Sequence, residues 1–104
     1  MKNLQILMMG RGGNSYGVFV DPSRLDFDYS GGVEDVSITT VPTAEWNIVS
    51  SPDWLTASKY NYITLRVDVP ENDTGNFRYG EIVVEHSEDS SVTEIVSISQ
   101  SPIP

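Results

Sequence analysis

Apolar side chains in this chain recur at every second position, in short runs cut off by turn-forming residues. Period-two alternation places one set of side chains on each face of an extended strand, and a helix cannot use it. Leu25, Phe27 and Tyr29 alternate with Asp26 and Asp28 until Ser30-Gly31-Gly32. Val36 and Ile38 alternate with Ser37 and Thr39 until Pro42. Trp46 and Ile48 alternate with Glu45 and Asn47. Ile63, Leu65, Val67 and Val69 alternate with Thr64, Arg66 and Asp68 until Pro70. Ile82 and Val84 alternate with Glu81 and Glu85, and Val96 and Ile98 with Ser97 and Ser99. Each run has one apolar face, which must be buried against a second sheet. The expectation is an all-β, two-sheet antiparallel β-sandwich with about seven strands. Ile63, Leu65, Val67, Ile82 and Val84 should face inward with Trp46.

A length of 104 residues fits one domain. The chain has no cysteine, so disulfides, thiolate nucleophiles and thiolate metal sites are excluded, as is the lipidated cysteine of a lipoprotein. Leu4 to Met9 is apolar but too short for the core of a secretory signal, and no apolar run reaches the roughly 20 residues of a membrane helix. Met1 followed by a lysine is expected to be a natural start.

The net charge of −9 is unevenly spread. Residues 1–20 carry Lys2 and Arg11 and no acid, whereas residues 21–104 carry four basic and fifteen acidic side chains. An acidic body repels phosphate backbones and anionic membranes, so neither nucleic acid nor membrane is an expected partner. Residues 1–20 are expected to form an N-terminal arm and residues 21–104 the sandwich. Lys2, Leu4, Ile6, Leu7, Met8 and Arg11 are the arm's candidate contacts. Gly10, Gly12 and Gly13 would let an extended segment reach a neighbour's sheet edge. The alternative is that Gln5 to Met9 is the sandwich's own first strand, and Tyr16 to Val20 is a second candidate for that place.

Catalysis is not expected. His86, the only histidine, reads as a solvated strand-end residue. Asp26 and Asp28 fall on a solvent face with no cleft to raise one carboxyl's pKa. The loop Glu71, Asn72, Asp73, Asn76 offers several oxygens but does not match an EF-hand and reads as a polar turn. No cofactor or metal is expected. Trp46 sits at an inward position. Trp54, Lys59, Tyr60, Asn61 and Tyr62 are the candidate glycan-binding residues, because saccharides bind through exposed rings flanked by a few polar groups.

The ordered set Leu25-Asp26-Phe27, Trp46-x-Ile48 and Pro52-Asp53-Trp54-Leu55 is followed by Leu65-x-Val67-x-Val69, Asn72 and Thr74. Arg78-x-Gly80-x-Ile82-x-Val84 and Val96-x-Ile98-x-Gln100 complete it. Over residues 21–101 this resembles the BACON domain, an immunoglobulin-like sandwich named for its association with Bacteroidetes and with carbohydrate binding. Such modules accompany glycoside hydrolases or proteases in secreted or lipid-anchored proteins, and occur in virion proteins of tailed phages. This sequence departs from the secreted pattern in lacking a signal, a lipobox cysteine and an attached enzyme. The resemblance therefore implies an auxiliary capsid (decoration) protein on a virion surface, held by its arm to the major capsid protein or to copies of itself. The alternative it implies is a carbohydrate-binding module at a cell surface or in the extracellular space, with mucin-type glycans as partners.

Overall fold

The structure, a computed structural model, describes residues 15–104. Of the expected arm, Lys2, Leu4, Ile6, Leu7, Met8 and Arg11 lie outside the described residues. Eight strands follow one another: β1 (Gly17–Asp21), β2 (Arg24–Phe27), β3 (Gly32–Val41), β4 (Trp46–Ser50), β5 (Thr56–Asn61), β6 (Thr64–Val69), β7 (Arg78–His86) and β8 (Asp89–Gln100). They form two four-stranded sheets, in the orders β1-β3-β6-β5 and β2-β8-β7-β4. The sandwich thus includes Gly17–Asp21 as β1, in the segment that the sequence offers either to the arm or to a first strand, and Val18 is buried in its core.

One pairing departs from the antiparallel expectation. β2 runs parallel to the end of β8, with Leu25 opposite Ile98 and Phe27 opposite Gln100. The cause lies in the connection: only Pro22 and Ser23 separate β1 from β2, yet the two strands belong to different sheets. The chain therefore switches sheets without reversing, as strands do at the corners of sandwiches.

The core follows the alternation. Val36, Leu65, Val67, Ile82, Val84 and Val96 are fully buried, and Ile38, Val69 and Ile98 nearly so. Trp46 is also fully buried, and its indole N–H donates to the Tyr62 carbonyl at 2.8 Å. Val36 lies opposite Leu65 in the first sheet, and Ile82 opposite Val96 in the second. Ile63 is the exception. It shares the parity of Leu65, but β6 begins at Thr64 and Ile63 sits in the preceding turn, 54% exposed.

A polar cluster closes one end of this core. Gln100 is fully buried, and its Nε2 donates to the carbonyls of Pro70 at 2.8 Å, Asp28 at 3.1 Å and Tyr29 at 3.3 Å. Its Oε1 accepts a 2.8 Å hydrogen bond from Arg78 Nε. One side chain thus ties β7 and β8 to the end of β6 and to the turn between β2 and β3. Fully buried Asn72 does the same beside it. Its Nδ2 donates to the carbonyls of Asn76 (2.8 Å) and Ser101 (3.1 Å), and its Oδ1 accepts from the Thr74 amide and hydroxyl. Gly31 lets the β2–β3 turn approach closely: φ is 77°, and a Cβ there would collide with the Val69 carbonyl oxygen.

Three substitutions read this arrangement in one denaturant-unfolding series. Leu65→Ala should cost about 2–5 kcal/mol through lost burial and a cavity. Ile63→Ala should cost about 0.5 kcal/mol or less, as at other exposed sites. Gln100→Leu, close in volume but without the amide, should cost about 1–3 kcal/mol by leaving buried carbonyls without their donor.

Candidate functional site

The five sequence-predicted glycan residues are not brought to one place. Trp54 lies in the β4–β5 connection, half-buried against the core, with the Arg78 guanidinium 4.6 Å from its ring centroid. Its neighbour Pro52 packs over Gly80, where an added Cβ would strike Pro52 and come within 3.3 Å of the Trp54 ring. Gly80 is therefore the gap that seats the Pro52–Trp54 turn. Tyr60 and Tyr62 lie at the far end of β5, about 20 Å away by strand rise.

At that far end the remaining candidates diverge further. Lys59 lies at an inward parity on the sheet edge, opposite Leu65; its ammonium bonds Glu45 at 2.7 Å and sits 5.0 Å from the Trp46 ring centroid. A bulge falls between Lys59 and Asn61, and Tyr60 is 58% exposed with the Arg66 guanidinium 3.7 Å from its ring centroid. Arg66 in turn makes a two-pronged pair with Asp35, at 2.9 and 3.1 Å. Those hydrogen bonds hold the Asp35 carboxyl below the ordinary aspartate range. Asn61 turns its Oδ1 back to the Ile63 amide, and Tyr62 is exposed. Tyr60 already has an arginine over one face, which leaves less ring for a ligand.

Two expectations about titratable groups are corrected. His86 is fully buried, not solvated. It shares the inward parity of Ile82 and Val84, and β7 pairs it with Trp46. Its Nδ1 accepts from the Glu88 amide at 3.1 Å, so Nε2 carries the hydrogen donated to the Pro42 carbonyl, also 3.1 Å away. Asp28 does not share a strand face with Asp26. β2 ends at Phe27, and Asp28 Oδ1 accepts from the Ser30 amide at 3.0 Å in the following turn. Asn72, once a candidate oxygen donor, directs its oxygen to Thr74. Among the described residues, no three His, Cys, Asp or Glu side chains converge as metal ligands.

A different surface has the composition of a binding face. On the outer side of the second sheet, Ser97 and Ser99 of β8 lie between Arg24 and Asp26 of β2 and Tyr79 and Glu81 of β7. The two small residues leave a groove of about 400 Å³ lined by Arg24, Tyr79, Glu81, Ser97 and Ser99. Tyr79 is 67% exposed, and the Phe77 ring lies nearly parallel to it, with centroids 6.2 Å apart. Ser99 Oγ donates to Asp26 Oδ1 at 2.5 Å, and Arg24 Nε donates to the same carboxylate at 3.1 Å. The serine bond first, and the arginine second, hold the Asp26 carboxyl below the ordinary aspartate range. A depressed carboxyl contributes stability above that range and loses it as pH falls through the lowered value. Sequence reasoning missed Phe77 and Tyr79. The signal was present, since Tyr79 is an aromatic residue at an outward position of an alternating strand.

No family model and no curated protein matches this chain. Among solved structures, it is similar to a Bacteroides ovatus GH5 xyloglucanase in complex with a XXXG heptasaccharide. That likeness has a TM-score of 0.68 and 26% identity over 86% of this chain, but spans only 19% of the xyloglucanase. A protein from Bacteroides thetaiotaomicron is similar at a TM-score of 0.62 and 15% identity, covering 93% of this chain and 97% of that one. An endo-fucoidan hydrolase of glycoside hydrolase family 107 is similar at a TM-score of 0.54 and 16% identity, over 90% of this chain and 14% of that one. The last two likenesses concern the fold alone.

Proposed function

We propose that this chain is a non-catalytic accessory module that recognises carbohydrate. The observation that carries this reading is the likeness, at 26% identity, to a fifth of a xyloglucan-degrading enzyme. Exposed aromatic residues beside carboxylates and hydroxyls on a preformed surface are the chemistry such recognition uses. A non-catalytic role fits the titratable groups. Both ring nitrogens of buried His86 are engaged by the backbone. Asp26 is tied to Ser99 and Arg24 on an open sheet face, and among the described residues no second carboxylate faces it across a cleft. The full chain should score on an array of neutral plant and mucin-type glycans and release no reducing ends from them. A folded protein that binds no glycan, or one that hydrolyses any, contradicts this reading.

A second reading is display on a capsid shell, which the charge division favours. Residues 1–20 carry a charge of +2 and residues 21–104 one of −11, so the segment ahead of the sandwich is chemically suited to a different surface. A chain starting at Tyr16 retains all eight strands and should unfold as the full chain does. Under this reading it no longer co-sediments with capsids. Undiminished attachment would remove the segment from any anchoring role.

A further inference from the structure

We propose that the groove on the outer face of β2, β8 and β7 binds a neutral oligosaccharide, with a sugar ring stacked on Tyr79; this rests on the carbohydrate reading above. The shape follows from residue size. Ser97 and Ser99 form a low floor along the central strand, while Tyr79 and Glu81 on one side and Arg24, paired to Asp26, on the other form walls. The walls stand two strand spacings apart, about 10 Å, and the trough runs along the strands. An extended chain of sugar rings fits such a trough. An added peptide strand does not, because β8 is already paired on both sides and offers no free backbone edge.

The chemistry is equally selective. Tyr79 presents an exposed ring whose negative face attracts the weakly positive C–H faces of a sugar, and Phe77 stacks beside it. Glu81 accepts hydrogen bonds from hydroxyls, and the Ser97 hydroxyl can both donate and accept. Arg24 commits Nε to Asp26 and presents its Nη donors to a ligand oxygen. The charge excludes acidic glycans. The groove's one cation is held by Asp26, Glu81 adds a further negative charge, and residues 21–104 carry −11 in all. A uronate or sulfate would meet Glu81 and a net negative body, with the one cation already paired to Asp26.

The test is affinity electrophoresis of the full chain. Its acidic character drives it to the anode through native gels cast with xyloglucan, mixed-linkage β-glucan, polygalacturonate or fucoidan. The wild type should be retarded by a neutral polymer and run freely through both acidic ones. Tyr79→Ala, which removes the ring, and Ser97→Trp, which fills the trough, should each weaken retardation by about tenfold or more while unfolding like wild type. Tyr60→Ala should be retarded as the wild type is. If Tyr79→Ala and Ser97→Trp bind normally, or only the acidic polymers retard the wild type, the groove assignment is wrong and the carbohydrate reading survives. If none of these polymers, and no glycan on the array, binds the wild type, both fail.

Discussion

The amide of Gln100 is the contact on which one end of this sandwich depends. It sits where four parts of the chain converge: the starts of β7 and β3 and the ends of β6 and β8. Its donors reach the carbonyls of Asp28, Tyr29 and Pro70, and its oxygen receives Arg78. Buried carbonyls without a donor are costly, so this arrangement tolerates few alternative registers. The consequences propagate outward. Gln100 fixes Arg78, and Arg78 lies over Trp54. Gly80, two residues on, seats the Pro52–Trp54 turn on the inner side of β7. With Arg78 and Gly80 held inward, the pleat directs Tyr79 and Glu81 to the outer face. The outer groove thus follows from how this end of the core is sealed.

This division of labour separates the residues that hold the fold from those that offer ligand chemistry. Trp46, Asn72, Arg78, Gly80 and Gln100 each have a structural task. Trp46 donates to Tyr62, Asn72 organises the turn after β6, and Gln100 and Arg78 close the end of the core. A fold built this way can be reused with different outer faces, because strand alternation makes inward and outward positions independent.

Much of the core was legible because burial imposes period two on the sequence. Leu65, Val67, Val69, Ile82, Val84, Val96 and Ile98 all occupy the side that alternation assigned them. Ile63 fails because parity says nothing about where a strand starts: the chain is still turning there. His86 fails for the opposite reason. Its place at a strand end suggested solvent, whereas it shares the parity of Ile82 and Val84, and hydrogen bonds to Pro42 and Glu88 satisfy its buried ring nitrogens. The parallel pairing of β2 with β8 depends on residues about seventy positions apart and left no local trace. The groove was illegible for the same reason. Arg24, Tyr79 and Ser99 meet only after three strands align, whereas Trp54 and Tyr60, close in sequence, are placed far apart by the extended strand between them.

Backbone amide shifts recorded by NMR on the full chain, with and without a xyloglucan heptasaccharide, test the central claim most directly. Shifts should concentrate at Arg24, Asp26, Tyr79, Glu81, Ser97 and Ser99, while the amides of Asn72 and Gln100 stay in place. Shifts centred on Tyr60 and Tyr62, or on the sealed end around Trp54 and Gln100, would contradict it.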